Sequence, residues 1–154
     1  MPNIICFSIN NWEKRWARKQ HFMDQLSSRP EINKIYYIEP PASVISLLVN
    51  LKHLFYDKEW RLRLKRALLF KKSNYKNNLY IYTPLFVFPF GRYEIIHKIN
   101  WAIALIIMKI RGIFYDINDS ILWLYDPYDY VLLNKIKNYK ISCFDWAEKW
   151  EEYY

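Results

Sequence analysis

Five short apolar runs recur along this chain, and stretches with helical spacing separate them. The runs are Asn3–Phe7, Lys34–Ile38, Leu79–Tyr82, Ile121–Tyr125 and Lys140–Phe144. Most are continuous rather than alternating, as expected of strands covered on both faces. Between the first two, Trp16, Met23 and Leu26 share a face with Phe22 beside it, and Ser27-Ser28-Arg29-Pro30 ends that helix. Val44, Leu47, Leu48, Leu51 and Phe55 form a second amphipathic stripe, and Tyr130, Leu133 and Ile136 a short one. Strands alternating with helices predict a parallel sheet with right-handed crossovers. The expected architecture is one α/β domain over residues 1–154, with strand order 3-2-1-4-5 and helices on both faces.

The stretch from Tyr93 to Arg111 is apolar nearly all round, with Ile95, Ile99, Ile103, Ile106 and Ile110 as its main stripe. A membrane span needs ~20 apolar residues. The apolar core from Trp101 to Met108 is far shorter, and Lys98 and Lys109 bracket it. A buried helix covering the sheet is therefore expected, with Gly112 at its C-cap.

A length of 154 residues allows a sizeable core, and 53% hydrophobic residues argue against disorder. The chain has only two glycines. That excludes the glycine-rich phosphate loops that bring backbone against a dinucleotide or nucleoside triphosphate. Cys6 and Cys143 each sit inside an apolar run and read as free buried thiols. There is no CxxC and no metal-ligand spacing, so neither a metal nor a cofactor is expected. No basic segment followed by an apolar one precedes the first strand, so the cytoplasmic side is expected.

The formal net charge is +8. It is concentrated between Lys52 and Lys76, where nine cations face only Asp57 and Glu59. Trp60, Leu64 and Leu68 share a face there, while Arg61, Arg63, Lys65 and Arg66 crowd the others. This composition suits a helix on an anionic membrane surface, where each cation contributes on the order of 1 kcal/mol. It also suits the solvated face of a core helix. Nucleic acid is disfavoured as a partner, because no reading motif accompanies the basic stretch.

Several strand ends resemble a known family. Phe7-Ser8, Trp16-Ala17-Arg18-Lys19-Gln20-His21 and Tyr36-Tyr37-Ile38-Glu39-Pro40-Pro41 resemble the opening of a group of bacterial glycosyltransferases. These are two-domain, nucleotide-sugar-dependent enzymes, including those assigned to teichuronic acid and exopolysaccharide synthesis. Their opening reads Trp-x-Arg-Pro-Gln-His, so Lys19 stands where they carry proline. Ile121 to Pro127 and Cys143-Phe144-Asp145-Trp146 resemble two further strand ends of the same domain. The resemblance implies the amino-terminal, acceptor-side half of a Rossmann-type, GT-B-like enzyme. It implies sugar transfer from a nucleotide-sugar to a hydroxyl on a glycan or lipid-linked acceptor, at the inner face of the membrane. The donor-binding carboxy-terminal domain of that family has no counterpart in these residues. The chain is accordingly expected to be truncated and inactive by itself. A non-catalytic α/β binding module, docking to an anionic membrane surface or a partner protein, is the alternative.

Ligands of open α/β sheets bind outside the carboxyl ends of the strands, and the candidate residues fall there. In the first loop and helix start, Asn10, Asn11, Arg15, Arg18 and Gln20 are candidates to hold hydroxyls or a phosphate, with the helix amino terminus assisting. Trp12 or Trp16 is a candidate to stack on a sugar. The competing reading makes Trp16 the first core residue of the helix and leaves the cations solvated. Glu39 is either a hydroxyl-binding acid or a turn residue. Asp126, the candidate catalytic carboxylate, could accept a proton or orient an acceptor hydroxyl. An Asp before Pro127 is also a turn device, and Asp129 reads as turn. Asp145 is either a ligand contact or a loop anchor. His21, His53 and His97 are scattered and form no recognisable arrangement with Ser, Cys or Asp.

Overall fold

The computed structural model describes residues 1–13, 17–45, 56–69, 73–76, 78–88, 93–112 and 119–145. Arg15, Trp16, the stripe residues Leu47, Leu48, Leu51 and Phe55, and Trp146 lie outside them. The main sheet contains β1 (Ile4–Phe7), β2 (Ile35–Ile38), β4 (Ser73–Lys76), β5 (Leu79–Tyr82), β7 (Ile121–Leu124) and β8 (Ile141–Phe144). Its order is β4-β5-β2-β1-β7-β8. The five expected strands stand in the order 3-2-1-4-5, and the described sheet departs from that expectation by a sixth strand, β4, at its edge. Ser73–Lys76, read in the sequence as part of a basic segment, pairs antiparallel with β5. The short connection between these strands suits a hairpin, whereas a parallel neighbour needs a long crossover. The other pairings, β5 to β2, β2 to β1, β1 to β7 and β7 to β8, are parallel.

Prolines break two of these strands and create a second sheet. Past Ile38 the chain runs Glu39-Pro40-Pro41, and past Tyr82 it runs Thr83-Pro84. Proline cannot donate to a ladder. Beyond the break, Ala42 N–H donates to the Pro84 carbonyl at 2.8 Å. The two chains then pair again as β3 (Ala42–Ser43) and β6 (Leu85–Phe86).

Helix α1 (Arg18–Ser27) covers one face of the sheet through Met23, against Ile4, Cys6, Ile35 and Tyr37. Helix α2 (Lys58–Leu69) packs Ala67 on Ala42 and Leu85 of the small sheet. Helix α3 (Glu94–Ile110) covers the opposite face with Trp101, Ala104 and Met108, and the short helix Val131–Lys135 joins it there. Gly112 closes α3 at φ 71°, a left-handed conformation that glycine adopts without a Cβ clash.

The expectation for α3 is corrected in its facing. Its main isoleucine stripe points to solvent: Ile95 is 72%, Ile106 59% and Ile110 75% exposed. The helix has two apolar faces, and the one carrying Trp101 and Met108 wins the core. A second correction concerns β8. Its run suggested burial on both faces, yet Ile141 and Phe144 at this sheet edge are exposed. Among the described residues no helix is long and apolar enough to cross a membrane.

Candidate functional site

Strand order reverses between β1 and β7. The chain leaves β1 towards β2 on one side and leaves β7 towards β8 on the other. In open α/β sheets such a switch point leaves a crevice at the carboxyl ends, where loops diverge. Here the ends are tied by backbone bonds. Tyr125 N–H donates to Phe7 at 3.2 Å, Ser8 N–H to Ile38 at 2.9 Å and Asp145 N–H to Leu124 at 3.0 Å.

Three candidates meet at this edge. Arg18 Nη2 donates to Asp145 Oδ1 at 2.6 Å, joining the start of α1 to the loop after β8. The pair is surface-exposed, with the Arg18 side chain 66% and the Asp145 side chain 21% accessible. Lys19 lies beside it, buried, with its amine 5.1 Å from the centre of the Tyr125 ring. That cation–π contact clamps the first turn of α1 onto the end of β7. Burial pushes the Tyr125 hydroxyl well above its usual titration range, so it stays protonated.

Asp126 lies one residue further along. Its Oδ1 accepts the Tyr128 N–H at 2.9 Å and caps the 3-10 turn Pro127–Tyr130. The turn reading thus holds for Asp126, and the side chain also lines a cavity. That cavity, about 310 Å³, is bounded by Leu124, Asp126, Pro127 and Tyr130 on one side and Ser142, Cys143 and Phe144 on the other. Ligand pockets typically start at roughly 300 Å³. The wall is mainly apolar, with Asp126, Tyr130 and Ser142 among its residues. Register puts the Cys143 side chain on the other face of the sheet, with Trp123 and Cys6, and burial raises its thiol above the ordinary value.

Other candidates are used inside the fold. Trp12 is buried and packs edge-on against Tyr37 and Tyr75, so it is not the exposed stacking platform expected. Gln20 is also buried. Its Oε1 accepts the Ala17 N–H at 3.1 Å, the reciprocal half of a capping box, and its Nε2 donates to the Asn11 carbonyl at 3.0 Å. Asn11 is buried with it. Asn10 is half-buried, and its backbone is held from both ends. Its N–H donates to Ser8 Oγ at 3.1 Å, and its carbonyl accepts the Tyr37 hydroxyl at 3.0 Å.

Glu39 is neither a solvated turn residue nor an open ligand contact. It is buried at the proline break, where its carboxylate takes the Trp12 N–H at 2.7 Å and the Thr83 hydroxyl. Arg66 Nη2 lies 3.1 Å from both of its oxygens and 2.6 Å from Glu13 Oε2. Burial pushes the Glu39 carboxyl up, while Arg66, Thr83 and the Trp12 amide pull it down. Arg63 donates to the Pro40 and Pro41 carbonyls at 2.8 and 3.2 Å. Arg63 and Arg66, one helical turn apart, thus fill the gap that the prolines leave in the ladder. This corrects the membrane-surface set. Arg66 is only 6% exposed and Arg63 is turned inward, which leaves Arg61 and Lys65 on the surface.

One cluster escaped sequence reasoning. Asp129, buried after β7, accepts the Trp101 indole N–H at 3.0 Å, and His97 Nε2 stands 3.7 Å from the same oxygen. Nothing in the spacing of the histidines signals it, because α3 and the 3-10 turn meet only in the fold. Burial raises the Asp129 carboxyl above its ordinary value. Among the described residues no group of three His, Cys, Asp or Glu could hold a metal ion. Comparison with protein-family models, with curated proteins and with solved structures finds no match for this chain.

Proposed function

We propose that this chain is the acceptor-side domain of a glycosyltransferase, taking a glycan or lipid-linked acceptor at the carboxyl edge of β1, β7 and β8. The observation that carries the proposal is the Arg18–Asp145 contact at the switch point, on the same sheet edge as the Asp126 cavity. An exposed ion pair contributes little to folding, about 0–1 kcal/mol, so a ligand can open it at small cost. A freed Arg18 guanidinium offers paired donors to a phosphate or to vicinal hydroxyls. The Asp126 carboxylate would orient an acceptor hydroxyl and take its proton as the oxygen bonds to the anomeric carbon. The nucleotide then leaves with the electron pair of the broken glycosidic bond. The nucleotide-sugar itself would be held by a second domain, as the family resemblance of the strand ends implies. The apolar cavity wall suits the lipid portion of a carrier. Isothermal titration with phosphorylated oligosaccharides tests the proposal. Binding that Arg18→Ala weakens at least about tenfold supports it; unchanged binding removes Arg18 from the site.

A non-catalytic binding module is the second reading. It is favoured by Trp12, Gln20 and Glu39, which the fold itself consumes. Joining a family carboxy-terminal domain and measuring nucleotide-sugar turnover separates the two. Acceptor binding without turnover in the joined protein favours the binding module.

A further inference from the structure

Helix α3 turns a continuous apolar face to solvent. On a helix with 3.6 residues per turn, Ile95, Ile99, Ala102, Ile106 and Ile110 fall on one side, opposite Asn100, Trp101, Ala104 and Met108. The neighbouring Val87 and Phe88 are also exposed. They are held against this helix by the buried Asn100, whose amide donates to the Phe88 carbonyl and accepts its N–H, each at 3.0 Å.

We propose that this face pairs two copies of the chain through an antiparallel, two-fold contact between their α3 helices. Spacings of four, three and four from Ile95 through Ile99 and Ala102 to Ile106 match the seam of a helix pair. Charge selects the direction. Glu94 lies in the first turn and Lys109 in the last, on the same flank of the stripe. An antiparallel pair sets Glu94 of each copy beside Lys109 of the other, at both ends. A parallel two-fold pair would carry these flanks to opposite sides of the seam and leave both charges without a partner. Area also fits. A stable interface takes roughly 800 Å² from each partner. Ile95, Ile99, Ile106 and Ile110, each 44% exposed or more, supply the apolar centre of such a surface.

A bilayer is the rival occupant, and the flank charges disfavour it. Interfacial helices are rich in Lys and Arg on the polar side, whereas here Glu94 forms an ion pair with Lys98. The isoleucine stripe lies outside the carboxyl-edge cavity, but Glu94 at its end accepts the Tyr130 hydroxyl at 3.0 Å; the isoleucine variants leave that contact in place, so association and acceptor binding are read separately.

Sedimentation velocity of the chain at micromolar concentrations is the test, with circular dichroism as the check on folding. The wild type should sediment at twice the 19.1 kDa chain mass. The pair Ile99→Glu and Ile106→Glu, at outward positions, should raise the dissociation constant at least about tenfold. Glu94→Lys should weaken the dimer, and adding Lys109→Glu should restore it. A monomeric wild type, a dimer indifferent to the isoleucine changes, or a charge swap without rescue would each overturn the proposal. A monomer that binds phosphatidylglycerol vesicles through the same isoleucines would also overturn it and identify lipid as the occupant.

Discussion

Arg18 and Asp145 stand 127 residues apart in the chain and meet at 2.6 Å across the carboxyl edge of the sheet. One begins α1 and the other follows β8. The contact exists only because β1, β7 and β8 run parallel and end on the same side.

Opening this pair should barely affect folding. Arg18→Ala and Asp145→Asn are each expected to change the urea unfolding free energy by less than about 1 kcal/mol. The same variants should lose acceptor binding. A large stability loss would instead make the pair a structural clasp.

Arg66 should behave in the opposite way. It is buried between Glu13 and Glu39, and removing it leaves the buried Glu39 carboxylate short of its cation. Arg66→Ala is expected to cost about 3–5 kcal/mol, while Arg61→Ala on the exposed side should stay within about 0.5 kcal/mol. Urea denaturation of both variants measures the difference. Any assay of membrane binding should therefore use Arg61 and Lys65, since changing all four cations together would disturb the fold.

Asp129 predicts a pH dependence. Burial raises its carboxyl above the ordinary value of 3.8. The folded state therefore keeps a proton that the unfolded chain has already released. Folding is favoured at low pH, and stability declines as pH rises from 3.8 through the folded value. The facing groups are His97 and Trp101 from α3, with Asp126 from the turn before it. Asp129→Asn keeps an acceptor for the Trp101 indole and removes the titration. Its urea midpoint should be flatter over this range than that of the wild type; superimposable pH profiles would contradict the assignment.

Both cysteines should stay reduced and slow to react. β7 lies between the strands that carry them, with Cys6 opposite Trp123 and Trp123 opposite Cys143. Burial raises both thiols above their ordinary value. Iodoacetamide should leave Cys6 untouched in the folded protein and modify Cys143 slowly. An internal disulfide seen by non-reducing mass spectrometry would contradict the sheet order.

Much of the fold was legible because buried strands leave a local mark. Ile4 to Phe7 and Ile35 to Ile38 are unbroken apolar runs between helical stretches, and both are buried throughout. The facing of α3 was not legible in the same way. Periodicity reveals an apolar stripe, but this helix has two, and only packing of Trp101 and Met108 against the sheet decides between them. The edge strand β4 was hidden for a different reason. Ser73 to Lys76 is polar, and pairing with β5 rather than burial makes it a strand. At the site, placement at strand ends located Arg18, Asp126 and Asp145, since position along a parallel sheet follows from chain order. The inward roles of Gln20, Glu39 and Arg66 depend on partners up to 53 residues away. Nothing in local composition distinguishes such a buried arginine from its exposed neighbour Lys65.

The central claim is that a glycan or lipid-linked acceptor binds at the carboxyl edge around Arg18, Asp126 and Asp145. A ¹H–¹⁵N NMR titration of the chain with a phosphorylated oligosaccharide tests it most directly. Saturable shifts confined to Ser8–Asn10, Arg18–Lys19, Tyr125–Tyr130 and Ser142–Asp145, and absent in Arg18→Ala, are the predicted result. Shifts centred on α2 or α3 with that edge silent would contradict the claim.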